Sequence, residues 1–91
     1  MYIVIEHEIS NPKTFWEIAK SAALPSNMKL HQTLPNQEGT KAVCLWEAKG
    51  VDEVKVFVEN ALGKVSRNTY FAVEANNAMG LPAAIKAGAT K

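Results

Sequence analysis

The chain has a single cysteine, Cys44, among 91 residues, which excludes an internal disulfide and any cluster held by several thiolates. Charge of one sign is also missing: ten Lys and Arg face nine Asp and Glu, a net +1 spread along the chain, so no electrostatic case for nucleic acid follows. No apolar run approaches the roughly 20 residues that span a bilayer. Tyr2-Ile3-Val4-Ile5 is followed at once by Glu6, too short and too soon acidic for a secretory leader. These absences set the expectation of a cytoplasmic protein with no membrane or nucleic-acid partner. A Gly-rich phosphate loop, a zinc-protease helix and a serine elbow are all lacking. The loop Ser10-Asn11-Pro12 carries no cysteine pair, which removes a metallochaperone, and one cysteine is too few for a ferredoxin cluster.

What is present suffices for one core. Hydrophobic residues make up 47% against 21% charged, and the length suits a single domain, placed at 1–76 with an Ala-rich tail over 77–91. Tyr2 to Ile9 is rich in Ile and Val and then alternates with Glu6 and Glu8, as a strand does. Asn11 is placed to cap a helix and Pro12 to occupy its first turn, with Phe15, Ile18, Ala19 and Ala22 on one stripe. Met28 to Leu34 predicts a short, partly polar edge strand with Met28, Leu30, Gln32 and Leu34 on one face and Lys29, His31 and Thr33 on the other. A turn over Pro35 to Gly39 leads to a third strand, Lys41 to Ala48. A second helix follows Gly50, with Asp52 and Glu53 at its positive end and a stripe of Val54, Phe57, Val58, Ala61, Leu62 and Val65. Gly63 suggests a left-handed helix end. Thr69 to Ala75 predicts the fourth strand, and Leu81 to Ile85 a short helical turn.

Strand, helix, strand thus occurs twice. The expected fold is α+β, a ferredoxin-like βαββαβ sandwich with a four-stranded antiparallel sheet and both helices on one face. The first and third strands should be central, since both carry apolar residues on both faces. The face away from the helices then needs another cover; a second copy of the sheet is the simplest one, and a long lid formed by the C-terminal tail is the alternative.

The stretch Cys44-Leu45-Trp46-Glu47-Ala48, followed by Val51-Asp52-Glu53-Val54 and Phe57-Val58, together with His7 and His31, resembles the dimeric α+β-barrel superfamily. Among its members it is most similar to the small uncharacterised proteins, some of which bind nickel. The resemblance covers most of Tyr2 to Ala75. It implies two ferredoxin-like subunits stacked sheet to sheet around a pocket. The superfamily includes heme-degrading and cofactor-independent monooxygenases, isomerases and many proteins with no known reaction.

Three chemistries are open to these residues. His7, His31 and Cys44 lie on three neighbouring strands, and such borderline and soft donors suit nickel, copper or zinc if strand register brings them to one face. In the plainer alternative the two imidazoles reach water and Cys44 is an inert core thiol. Trp46 and Tyr70 are candidate walls of a ligand pocket, and Glu6 or Glu47 a candidate base beside it; the alternative is that both aromatics fill an interface and both carboxylates reach solvent. Trp16, beside the first helical stripe, is a candidate partner contact or a core-edge residue. Tyr70-Phe71 with Arg67 lies on the fourth strand, not on the central strands where RNA-recognition aromatics sit. Lys55, Lys64 and Arg67 read as a solvated face. The leading expectation is a homodimer holding a small ligand or a metal ion in a pocket. The alternatives are a small enzyme without an organic cofactor, of monooxygenase or isomerase type, and a subunit that only binds another protein.

Overall fold

The computed structural model describes residues 1–82. The order is β1 (Tyr2–Ile9), α1 (Pro12–Ser21), β2 (Lys29–Pro35), β3 (Lys41–Glu47), α2 (Val51–Leu62) and β4 (Ser66–Ala72). The strands form one antiparallel sheet in the order β2-β3-β1-β4, with β1 and β3 in the middle. This is the ferredoxin-like α+β arrangement.

Alternation along β1 decides which residues meet the helices. Ile3, Ile5, His7 and Ile9 are buried, while Glu6 and Glu8 are exposed. Register places Ala42, Cys44 and Trp46 of β3 on the same face, and these pack with Phe15 of α1 and Val54, Val58 and Leu62 of α2 in one cluster. Both helices therefore cover one face. The Asn11 side chain accepts a hydrogen bond from the Thr14 backbone N–H at 3.2 Å, capping α1 where Pro12 needs no amide partner.

Three local expectations change. A register shift between Leu30 and Gln32 interrupts β2, so its faces do not follow simple alternation. Leu30, Thr33 and Pro35 pair with Trp46, Cys44 and Ala42 of the helix-facing row, whereas Gln32 and Leu34 pair with Leu45 and Val43 of the opposite row. Gly63 ends α2 at φ −60, in the right-handed region, and not in a left-handed turn. Its lack of a side chain is needed for space: a Cβ there would stand 2.6 Å from the Glu59 carbonyl oxygen. β4 begins at Ser66, three residues before the predicted Thr69, because Ser66, Arg67 and Asn68 pair with Ile9, Glu8 and His7 of β1. The helical turn predicted for 81–85 and the tail to residue 91 extend outside the described residues from 83 onward.

The sheet face away from the helices carries Tyr2, Val4, Val43, Leu45, Leu34 and Phe71 by register. Leu45 at its centre is buried, but Leu34, Val43 and Phe71 are 59%, 40% and 48% exposed. No helix among the described residues is long and apolar enough to cross a membrane.

Candidate functional site

The residues singled out from sequence fall on opposite sides of the sheet. His7, Cys44, Trp46 and Tyr70 face the helices; Glu6, Glu47 and His31 face the other way. The proposed metal trio is therefore divided. His31 is turned outward by the β2 irregularity, where its Nε2 lies 2.9 Å from Glu47 Oε1 and its ring 5.7 Å from that of Tyr2. Among the described residues no group of three His, Cys, Asp or Glu side chains is placed to hold a metal ion. The proposed ligand-pocket set divides in the same way, since Glu6 and Glu47 do not share a face with Trp46 and Tyr70.

Between sheet and helices lies a cavity lined by His7, Cys44 and Trp46 from the central strands, Leu30 and Thr33 from β2, and Phe15 and Phe57 from the helices. Trp16, Ala19 and Leu24 complete its wall on the α1 side. Its volume is about 50 Å³, room for more than one water. Trp46 is 5% exposed, and its indole Nε1 is buried without a hydrogen-bond partner among the described residues. An orphaned N–H of this kind costs roughly 1–3 kcal/mol.

His7 is anchored by residues that sequence inspection did not single out. Its Nδ1 lies 2.6 Å from Asn68 Oδ1, and Asn68 Nδ2 donates to Glu59 Oε2 at 2.9 Å. Tyr70 donates its hydroxyl to the same carboxylate oxygen at 2.5 Å, and the Ser66 hydroxyl lies 2.8 Å from Asn68 Oδ1. The Phe15 ring meets the imidazole edge to face at 5.2 Å. The available clue was register: Asn68 stands directly across from His7, but it precedes the stretch whose composition announced the strand. Tyr70 is thus occupied with α2 and does not line the cavity.

The electrostatics follow from this placement. Burial lowers the His7 pKa, against the Asn68 hydrogen bond and the Glu59 charge, which both raise it. Hydrogen bonds from Tyr70 and then Asn68 hold the Glu59 carboxyl below its usual range, while burial, with Glu59 second, pushes the Tyr70 phenol up. Burial likewise raises the Cys44 thiol, whose Sγ lies 3.8 Å from Thr33 Oγ1, so it stays protonated and poorly nucleophilic at neutral pH. Glu47 is lowered chiefly by its hydrogen bond with His31.

These shifts predict a two-stage acid response. An unfolded imidazole titrates near 6.5, and the buried ring resists the proton. Stability from His7 is therefore complete above that value and declines as pH falls from it toward the lower folded pKa. Glu59 and Glu47, lowered from 4.5, contribute stability that is present above that value and lost beneath it. Urea unfolding at a series of pH values is expected to show both limbs, and His7→Phe to flatten the first alone. An unchanged first limb in that variant would show that another group produces it.

Compared with known proteins, the chain matches no family model, no curated protein and no solved structure. The ferredoxin-like fold rests on the sheet order and the helices themselves.

Proposed function

We propose that the chain binds a small, largely apolar molecule in the cavity between sheet and helices, as a cytoplasmic homodimer. The observation that carries this reading is that Trp46, a residue of the cavity wall, keeps its indole N–H buried without a partner among the described residues. Native structures rarely leave such a donor unsatisfied, and a ligand acceptor within the cavity would satisfy it. Apart from His7, Thr33 and Cys44 the remaining lining is apolar, in the manner of small-molecule sites that use a few polar groups to orient their occupant.

This reading is favoured over a metal ion. Nickel held by His7, His31 and Cys44 requires the three donors on one side of the sheet, and His31 lies on the other. It is also favoured over an enzyme with Glu6 or Glu47 as base in the same cavity, because neither carboxylate faces it. In a sheet-to-sheet dimer of the α+β-barrel kind, Glu6, Glu47 and His31 would instead border the space between subunits. A specific observation supports that second copy: the outward apolar stripe is bordered by Lys29 and Glu47 at one end and by Lys41, Glu8 and Arg67 at the other. Borders of mixed sign are suited to pairing with themselves across a two-fold axis.

The cavity is tested with 4-methylanisole, an acceptor without a donor, and with p-xylene, its apolar counterpart. Saturable shifts of the Trp46 indole resonance are expected for the first. Trp46→Phe is expected to weaken 4-methylanisole about tenfold while leaving p-xylene nearly unchanged. Failure of both compounds to perturb signals of the lining residues would end the cavity reading.

A further inference from the structure

The polar chain behind His7 fixes which kind of hydrogen bond this residue offers the cavity. Glu59 carries a carboxylate, which only accepts, so the Asn68 group 2.9 Å from Glu59 Oε2 is the NH₂ and the group facing His7 is the carbonyl oxygen. That oxygen also only accepts. His7 Nδ1 must therefore be the donor across the 2.6 Å contact. A neutral imidazole has one N–H, so its Nε2 carries a lone pair and no hydrogen. No hydrogen bond to Nε2 is made among the described residues. His7 is 4% exposed and lines the same cavity as Trp46.

From this arrangement we infer that the cavity selects a small apolar molecule bearing a neutral X–H donor, such as a phenol, an enol or an alcohol, which donates to His7 Nε2. The inference rests on the cavity reading and adds the chemical class of the occupant. Trp46 offers a donor and His7 an acceptor, and one hydroxyl serves both, its oxygen accepting from the first while its proton is donated to the second. An acceptor left unpaired beside apolar walls disfavours an ether or hydrocarbon of the same shape relative to a matched hydroxyl. A carboxylic acid is a poorer match, because its ionised form brings no proton and places a negative charge in an apolar site, with the Glu59 carboxylate behind Asn68. The ring is also a weak base, owing to burial, so His7 holds the hydroxyl as a hydrogen-bond acceptor and leaves its proton in place.

Two measurements decide it. The first needs no ligand: long-range proton–nitrogen correlation of the His7 ring at neutral pH is expected to show Nδ1 protonated and Nε2 bare. The opposite tautomer, or an imidazolium, overturns the inference without touching the cavity reading. The second compares p-cresol with 4-methylanisole and p-xylene on the whole chain. Expected is binding of p-cresol about tenfold tighter than of 4-methylanisole, with that preference lost in His7→Phe, which keeps an aromatic ring in place. If the ether and the hydrocarbon bind but p-cresol gains nothing, the donor requirement is wrong and the cavity stands. If none of the three binds, both fall together.

Discussion

Phe15→Ala is expected to lower the unfolding free energy by about 3–5 kcal/mol, the range for removing a fully buried aromatic side chain. Phe15 is 2% exposed and belongs to the main cluster; its ring stands edge-on to His7 at 5.2 Å and to Trp16 at 4.8 Å. Its removal takes away transfer free energy and also the surface against which the two neighbouring rings are held. Since small domains hold roughly 5–15 kcal/mol in total, this change consumes a large part of the margin. Urea denaturation followed by far-ultraviolet circular dichroism measures it. A loss below about 1 kcal/mol would mean that the site collapses without a void, and that Phe15 does not hold the His7 ring in place. Because Phe15 also lines the cavity, any folded fraction is expected to admit bulkier aromatic probes than the parent protein does.

Val43→Glu is expected to turn the proposed sheet-to-sheet dimer into monomers, raising its dissociation constant on the order of thirtyfold or more, as a buried charge in the middle of an interface would. Val43 lies between Leu34 and Glu6 across the sheet and is 40% exposed, so the monomer has room for the new carboxylate. The acid placed beside Glu6 would have to be desolvated against a second copy carrying the same pair. Sedimentation velocity at several concentrations, with the unfolding midpoint of the dilute protein as a control, separates assembly from folding. A parent protein that is monomeric at every concentration rules out the sheet-to-sheet pairing. An unchanged dimer in the variant moves the interface elsewhere.

How much of this was legible beforehand depended on whether local pattern or long-range register decided each residue. β1 and β3 announce themselves because their helix-facing rows are apolar and their outward rows still carry Tyr2, Val4, Val43 and Leu45, and α1 because Asn11, Pro12 and the Phe15 stripe all agree. β2 was found but its faces were wrongly divided. A register shift reverses the sense of alternation for every residue on one side of it, and nothing in Leu30-His31-Gln32 signals one. That single shift is why His31 stands with Glu47 and not with His7 and Cys44. The polar support of His7 was hidden for another reason. Asn68 and Glu59 act only when β4 and α2 are brought beside β1, and a run such as Ser66-Arg67-Asn68 resembles a loop until its partner strand is known. Cys44 and Trp46 stand out in the sequence as candidates, but their surroundings, which raise the thiol pKa and leave the indole N–H without a partner among the described residues, are properties of packing.

The β2 irregularity has an effect beyond the placement of His31. With strand order β2-β3-β1-β4, the edge strands among the described residues are β2 and β4, and an edge strand is a template on which further chains can add as strands. The shift between Leu30 and Gln32 breaks the even ladder of unpaired N–H and C=O groups along β2, and Pro35 removes a donor at its end. An incoming strand finds no continuous register there. At high concentration the edge is thereby guarded against runaway fibre growth.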